Sequence, residues 1–277
     1  MIVQTKRSTE KLIKQDTLLS SSESQVINPE IYFDENKPPE NLTQIRDNTI
    51  EFIKKNKQAG RPIVLVTSGG TTVPLENNTV RFIDNFSAGT RGASSTEEFL
   101  KKGYGVIFLH RKHSLQPFNR HYTVPENGFL DFFNIDESGR IQIKGKYEEV
   151  VRNDILTFTN VISTGKLYMP YFTTLSDYLF ILREVTLLMA PMNQDAMFYL
   201  AAAVSDFFIP AGEMVEHKIQ SSDGDLILKM NQVPKFLRPL VNSWAPKSFV
   251  VSFKVSAYVY FNTTFESLVG MIMAMLD

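Results

Sequence analysis

Residues 63–92 of this chain read IVLVTSGGTTVPLENNTVRFIDNFSAGTRG. Their first four residues form an apolar, β-branched run that predicts a buried strand, followed by a polar loop with two adjacent glycines, Gly69 and Gly70. A second polar loop, residues 85–92, leads into residues 93–102, which we interpret as a helix. Such an arrangement is typical of a phosphate-binding site, because backbone N–H groups and a helix N-terminus can lie close to an anion.

The spacing of these glycines differs from the two common nucleotide-binding motifs. No Gly-Lys-Ser/Thr follows them, as it would in a Walker A loop, and no G-x-G-x-x-G follows the predicted strand, as it would in a dinucleotide-binding protein. Hydroxyl groups at Ser68, Thr71, Thr72 and Ser87 add possible hydrogen-bond donors to a phosphate. From the glycines alone, an ordinary strand–turn–helix connection remains an alternative interpretation.

Apolar runs alternate with helical patterns through most of the chain. We expect strands at residues 63–66, 104–109, 198–204, 226–230 and 249–253, and helices at residues 40–58, 93–102, 148–160, 174–189 and 235–244. Strands joined by helices in this order predict parallel pairing through right-handed crossovers. The predicted fold class is therefore α/β, a doubly wound, Rossmann-like and mostly parallel sheet flanked by helices.

Three segments of the chain differ in composition. Residues 1–36 are polar and contain a run of three serines, and we expect a poorly ordered leader there. Residues 37–254 hold the predicted strands and helices and are assigned to the α/β domain. Residues 255–277 are apolar and rich in methionine, and we expect a separate C-terminal tail.

Composition restricts the classes of function. The chain has 277 residues, is 43% hydrophobic and 21% charged, and has a formal net charge of -1, which indicates no overall attraction to nucleic acid or to a membrane surface. The absence of cysteine excludes a disulfide framework and a thiolate nucleophile. The N-terminus has no long apolar core, and no apolar run of about 18 residues occurs. We therefore expect a cytoplasmic protein without a nucleic-acid or membrane partner.

Several segments resemble one enzyme family. Residues 66–76 and 80–92 closely resemble motifs of the phosphopantothenate–cysteine ligases, and the eukaryotic, stand-alone form is the nearer match. Further motifs follow in the family's order and at its approximate spacing: LAAAVSD at residues 200–206, EHKIQS at 216–221, VPK at 233–235, WAPK at 244–247 and SFK at 252–254. The resemblance covers roughly residues 42–254 and stops after Lys254, which indicates a truncated or divergent end.

The resemblance implies an ATP-dependent, amide-forming ligase of coenzyme A biosynthesis. In that family, the carboxylate of 4′-phosphopantothenate attacks the α-phosphate of ATP, or of CTP, in the presence of Mg²⁺, which gives an acyl-adenylate (or its cytidylate counterpart) and pyrophosphate. The amine of L-cysteine then displaces the nucleoside monophosphate. Since the nucleotide supplies the leaving group, the protein needs position and electrostatics more than a nucleophile. This agrees with a chain that has no cysteine and no recognisable Ser–His–Asp motif.

Substrate-binding and catalytic residues follow from the matching positions. By resemblance, Asn85 holds the substrate carboxylate and the acyl-adenylate, and Asp206 binds the pantoate end of phosphopantothenate. Ala202 and Ala203 are expected to contact phosphopantothenate through their backbone. Lys218 matches a lysine implicated in the cysteine step; a solvated surface lysine is the alternative interpretation.

The resemblance also implies a nucleotide site and an oligomeric state. The predicted nucleotide-binding residues are Gly69, Gly70, Ser87, Gly89, Gly92 and Phe253, the last of them beside the base. Arg81 matches an arginine that reaches the phosphate of phosphopantothenate from the neighbouring subunit, which implies a homodimer. The alternative for Arg81 is a surface arginine paired with Asp84. The motifs assign no ligands to the metal.

Two other hypotheses remain open at this point. The family's later nucleotide-binding asparagine has no counterpart here, so the second hypothesis is a catalytically impaired form that binds phosphopantothenate or a full-length subunit. An NAD-dependent oxidoreductase of Rossmann type is the weaker alternative. Both the G-x-G-x-x-G and an acidic residue at the end of the second strand are missing from the sequence.

Overall fold

The chain is described by a computed structural model over residues 2–4, 29–123, 128–217, 219 and 225–254. In chain order, the strands are β1 Ile2–Gln4, β2 Ile63–Ser68, β3 Thr72–Pro74, β4 Phe82–Asp84, β5 Gly105–Arg111, β6 Phe133–Ile135, β7 Ile141–Ile143, β8 Leu167–Tyr168, β9 Tyr171–Phe172, β10 Ala196–Leu200, β11 Phe207–Phe208, β12 Asn231–Gln232 and β13 Phe249–Lys254. The α-helices are α1 Pro29–Glu35, α2 Leu42–Gln58, α3 Thr90–Lys101, α4 Gly145–Ser163, α5 Leu175–Met189 and α6 Leu237–Pro239.

The main sheet has seven strands in the order β1-β13-β10-β2-β5-β8, and β9 pairs with the far end of β5. All pairs in it are parallel except that of β1 with β13. Counting β8 and β9 as one strand, the five parallel positions follow the chain order 5-4-1-2-3, which is the Rossmann order. The predicted doubly wound, mostly parallel sheet is thereby confirmed.

Strand β2 lies at the centre of the sheet and is buried on both of its faces. Ile63 and Leu65 pack in one core with residues of α2 and α5, whereas Val64 and Val66 pack in a second core with residues of α3. All four side chains are fully buried. Helices on both faces explain why the strand is a continuous apolar run and does not alternate with polar residues.

The N-terminal segment is more structured than the sequence indicates. Residues 1–36 were expected to form a poorly ordered leader, but α1 begins at Pro29, and its Tyr32 and Phe33 are buried. The ring of Phe33 lies 5.0 Å from that of Phe180 and 5.3 Å from that of Phe236, centroid to centroid. Strand β1 adds a short antiparallel partner to β13. Residues 1 and 5–28 of this predicted leader, and the predicted tail at 255–277, lie outside the described residues.

Most predicted elements form within a few residues of their expected bounds, but those expected at 198–204, 226–230 and 235–244 differ more. The strand expected at 198–204 ends at Leu200, because the following alanines turn toward the loop after β2. No strand forms at 226–230; the short strand is Asn231–Gln232, paired with β11. The helix expected at 235–244 is divided into α6 and the π-helical turn Leu240–Trp244.

Candidate active site

The loops after β2 and β10 are hydrogen-bonded to each other at the carboxyl ends of these central strands. The N–H of Ala203 donates to the carbonyl of Gly69 (2.8 Å), and the N–H of Thr71 donates to the carbonyl of Ala203 (3.1 Å). The N–H of Ala202 donates to Oγ1 of Thr67 at 3.1 Å. The chain order of the strands reverses between β2 and β10, and an open α/β sheet binds its ligands in the crevice at such a point.

Asn85 lies against the same loop. It follows β4, which forms a two-stranded hairpin with β3, and its N–H donates to the carbonyl of Thr71 at 3.1 Å. A Cβ atom on Gly70 would overlap the carbonyl oxygen of Asn85. Only glycine at position 70 therefore permits this approach of the two backbones. The side chain of Asn85 remains partly exposed.

The second glycine loop converges on the first. The buried hydroxyl of Ser68 donates to the carbonyl of Gly89 at 3.0 Å. Gly89 is the N-cap of α3 and has φ +87, a left-handed conformation that glycine adopts without strain. A side chain on Gly92, in the first turn of α3, would overlap Ser68. The two loops that the sequence marked as a phosphate site are thus in direct contact.

A cavity of about 190 Å³ lies at the N-terminus of α3. It is lined by Ser87, Ala88, Gly89, Thr90, Arg91, Gly92 and Ala201. The first turn of α3 carries no acidic side chain. The N–H groups and the positive end of the helix dipole favour an anion in this cavity. Of the predicted nucleotide-binding residues, Ser87, Gly89 and Gly92 line the cavity, whereas Gly69 and Gly70 form the neighbouring loop.

Arg91 is a site residue that the sequence analysis did not assign. Its guanidinium lies 4.8 Å from the ring centroid of Phe253, in cation–π contact, so the predicted base-contacting residue is adjacent to the cavity. A cation in the first turn of a helix is unfavourable because of the helix dipole. An arginine that nevertheless follows a glycine N-cap within two residues therefore indicates that an anionic ligand binds there.

The chain continues from Ala203 along the loop after β2 to Asp206. The N–H of Ser205 donates to Oγ1 of Thr71 at 3.0 Å, and the Ser205 hydroxyl donates to the carbonyl of Phe207 at 2.8 Å. Asp206 follows and is exposed. The structure therefore brings Asn85 and Ala203 against the Gly70–Thr71 backbone, and Ala202 and Asp206 lie near them in the same loop after β10.

Arg81 lies apart from this group, at the far end of the β3–β4 hairpin. Its guanidinium donates to Oε1 of Glu76 at 3.4 Å and to the carbonyl of Ile219 at 2.8 Å. The alternative pairing of Arg81 with Asp84 is not formed, since Asp84 pairs with Arg111. At about 3.3 Å per strand residue, Arg81 is about 13 Å from Asn85. Lys218 lies outside the described residues.

Glu76 holds the hairpin end that carries Arg81. Its buried carboxylate accepts the N–H groups of Arg81 (2.9 Å) and Val80 (3.2 Å). The hydrogen bond from the backbone N–H of Arg81 is the largest cause of a lowered pKa of Glu76. Asn77 and Asn78 donate backbone hydrogen bonds to Val215 and Glu216, so this end is also bonded to the segment before Lys218.

We expect Glu76→Gln to lower the thermal unfolding midpoint at pH 7, because an amide accepts these N–H groups less strongly than a carboxylate. A lowered folded-state pKa contributes stability that is present above the unfolded-state pKa and is lost as the pH falls through the folded-state value. The difference in thermal unfolding midpoint between wild type and variant should therefore shrink below about pH 4. Melting curves between pH 7 and pH 3 check this, with the exposed Glu149→Gln as control. A difference that grows on acidification would contradict the assignment.

The described residues contain no group of three or more His, Cys, Asp and Glu side chains that could hold a metal ion. Over the same residues, no helix has the length and apolar character needed to cross a membrane. The cavity offers hydroxyl and backbone groups, and Mg²⁺ is commonly held through substrate phosphates with few protein ligands. A Mg²⁺ ion that is bound mainly by the phosphates of the nucleotide is compatible with the hydroxyl and backbone groups of this cavity.

Comparison with known proteins gives a consistent result. No family model matches the chain. Phosphopantothenate–cysteine ligase 1 of Arabidopsis thaliana is 44% identical over 240 residues, which cover 85% of this chain and 75% of that protein. Phosphopantothenate–cysteine ligase CAB2 of Saccharomyces cerevisiae is 46% identical over 252 residues, 82% of this chain and 66% of that protein. A solved Cab2 mutant in complex with phosphopantothenate-cysteine is 47% identical with a TM-score of 0.74, covering 80% of this chain and 73% of that one.

Proposed function

Because this chain belongs to the phosphopantothenate–cysteine ligase family, we propose that it joins 4′-phosphopantothenate to L-cysteine in coenzyme A biosynthesis. The observation that carries the proposal is the contact between the two glycine loops. It supports an anion-binding role for the cavity at the N-terminus of α3, whose lining begins at Ser87, two residues after Asn85. A carboxylate held at Asn85 and a nucleotide phosphate held at α3 would then lie side by side.

The chemical difficulty of the first step is repulsion between the substrate carboxylate and the α-phosphate. The N-terminus of α3 offers N–H donors and a helix dipole, and Arg91 adds a positive charge next to the cavity. These fixed groups offset negative charge without reorganising during the reaction. We assign ATP, or CTP, to this cavity, with its phosphates against Ser87, Gly89 and Gly92. Mg²⁺ would supply further charge neutralisation there.

Asn85 is assigned as the residue that holds the phosphopantothenate carboxylate and then the acyl-adenylate. An amide can donate to a carboxylate oxygen without adding charge. The N–H groups of Ala202 and Ala203 already donate within the protein, so these alanines would offer carbonyl lone pairs and close van der Waals contact. Asp206 is exposed and directly follows Ser205, whose N–H donates to Thr71, and its carboxylate is suited to the hydroxyl groups of the pantoate end.

The remaining assignments concern the partner subunit, the cysteine step and the compartment. Arg81 matches a motif arginine that reaches the phosphate of phosphopantothenate from the neighbouring subunit, so we assign it to the partner's site in a homodimer. Lys218 is assigned to the cysteine step from its motif alone. We expect this reaction in the cytoplasm, with no nucleic-acid or membrane partner. A binding form without activity is not favoured, since the relatives at 44% and 46% identity are named as ligases.

We expect the purified chain to form the amide product when it is given a nucleoside triphosphate, Mg²⁺, phosphopantothenate and cysteine. Mass spectrometry should detect phosphopantothenoylcysteine together with one nucleoside monophosphate per product. Parallel reactions with ATP and CTP identify the nucleotide, and omission of cysteine is the control. Phosphopantothenate binding in calorimetry without any product would instead support the binding form.

A further inference from the structure

Arg111 forms an ion pair with Asp84 beside the candidate active site, and the sequence does not predict this pair. It is the last residue of β5, and its guanidinium donates to Oδ1 of Asp84 at 2.6 Å. The side chains of Arg111 and Asp84 are 19% and 32% exposed, so water screens the pair less than it screens a fully exposed one. Asp84 is the last residue of β4 and directly precedes Asn85.

The same arginine contacts the loop after β2. A Cβ atom on Gly69, which has φ +84, would lie 2.7 Å from Cβ of Arg111 and 3.3 Å from Cβ of Ser114. The N–H of Leu115 donates to the carbonyl of Ala88 at 2.9 Å. The loop after β5 therefore packs against both glycine loops, in addition to holding Asp84.

The segment around Asn85 depends on such contacts. Strand β4 has three residues and, within the described residues, pairs with β3 alone; Ile83 packs against the main core, whereas Phe82 and Asp84 on either side of it are exposed. Phe86, on the other side of Asn85, is 85% exposed and gives little packing. Among the described contacts, the Thr71 hydrogen bond holds the Asn85 backbone, and the Arg111–Asp84 pair is the ion pair nearest to Asn85 in sequence.

We propose that Arg111 is a positioning residue, which sets the orientation of Asn85 toward the nucleotide cavity through its ion pair with Asp84. This inference rests on the proposed ligase function. Arg111 is not among the residues that line the cavity at the N-terminus of α3. Its loss should therefore lower the rate of carboxylate activation while leaving nucleotide affinity nearly intact, because a small misplacement of a reacting group slows the chemical step more than binding.

The test measures steady-state pyrophosphate release with phosphopantothenate, L-cysteine, Mg²⁺ and the accepted nucleotide, because turnover requires cysteine. We expect Arg111→Met and Asp84→Asn each to lower kcat by about 10- to 100-fold, with the nucleotide KM changed by less than about threefold. Arg111→Lys, which keeps the charge, should lose less. The double variant with the pair exchanged, Asp84→Arg with Arg111→Asp, should have a kcat at least about tenfold higher than that of Arg111→Asp alone. Arg152→Met breaks an exposed pair with Glu148 on α4 and is the matched control.

Several outcomes would overturn this inference. One is an Arg111→Met variant whose kcat stays within about twofold of wild type, and another is a variant in which only KM changes. A third is an exchanged pair that has the wild-type melting temperature but recovers none of the lost kcat. If Arg111→Met does not fold, Arg111→Lys and the exchanged pair decide the question. A wild-type chain that releases no pyrophosphate with either nucleotide would defeat the proposed function and this inference together. An active wild type with unaffected variants would defeat this inference alone.

Discussion

Asn85→Asp should lower the rate of acyl-adenylate formation by about 100- to 1,000-fold. The change replaces a hydrogen-bond donor with a negative charge at the position assigned to the substrate carboxylate, so the two carboxylates repel each other. Because the two side chains have nearly the same shape and Asn85 is partly exposed, the fold should be retained. Single-turnover pyrophosphate release without cysteine measures this step directly.

The matched control for this variant is Asn153→Asp, which makes the same chemical change at an exposed position of α4. It should leave the rate unchanged. Melting curves of both variants separate a chemical effect from loss of the fold. An Asn85→Asp variant that releases pyrophosphate at close to the wild-type rate would remove Asn85 from the mechanism.

The second large effect is expected for Gly70→Ala. Its new methyl group would overlap the carbonyl oxygen of Asn85, so the β3–β4 hairpin must move away from the loop after β2. Overpacking of this kind typically costs about 1–3 kcal/mol in the free energy of unfolding. A displacement of Asn85 by about 1 Å should also lower the ligation rate by about 100-fold.

Gly145→Ala is the control for the glycine substitution. Gly145 is the first residue of α4, and a Cβ atom there would have no heavy atom within 4 Å. Alanine is the better helix former, so stability should stay the same or rise slightly. Urea unfolding and the ligation rate are measured for both variants. A Gly70→Ala enzyme with wild-type stability and rate would show that the contact with Asn85 is unimportant.

The sequence predicts the sheet and the meeting of the glycine loops because both follow from local patterns. A continuous apolar run such as that of β2 requires burial on two faces, and both glycine loops lie in the single connection from the carboxyl end of β2 to α3. The N-cap of α5 is similarly local: Oγ1 of Thr174 accepts the N–H of Asp177, three residues later, at 3.1 Å.

The features that the sequence does not predict depend on contacts distant along the chain. Tyr32 and Phe33 lie in a polar segment, and they are buried only because residues such as Phe180 and Phe236 fold around them. The pairing of Arg111 with Asp84 joins positions 27 residues apart on different strands. No periodicity in either segment encodes that contact.

We propose that the two glycine loops hold a phosphopantothenate carboxylate and a nucleoside triphosphate in contact beside Asn85. The decisive experiment is isotope exchange between labelled pyrophosphate and the nucleotide in the absence of cysteine. We predict exchange that requires phosphopantothenate and is nearly abolished in both Asn85→Asp and Gly70→Ala. Exchange that proceeds without phosphopantothenate, or that is unchanged in both variants, would contradict the claim.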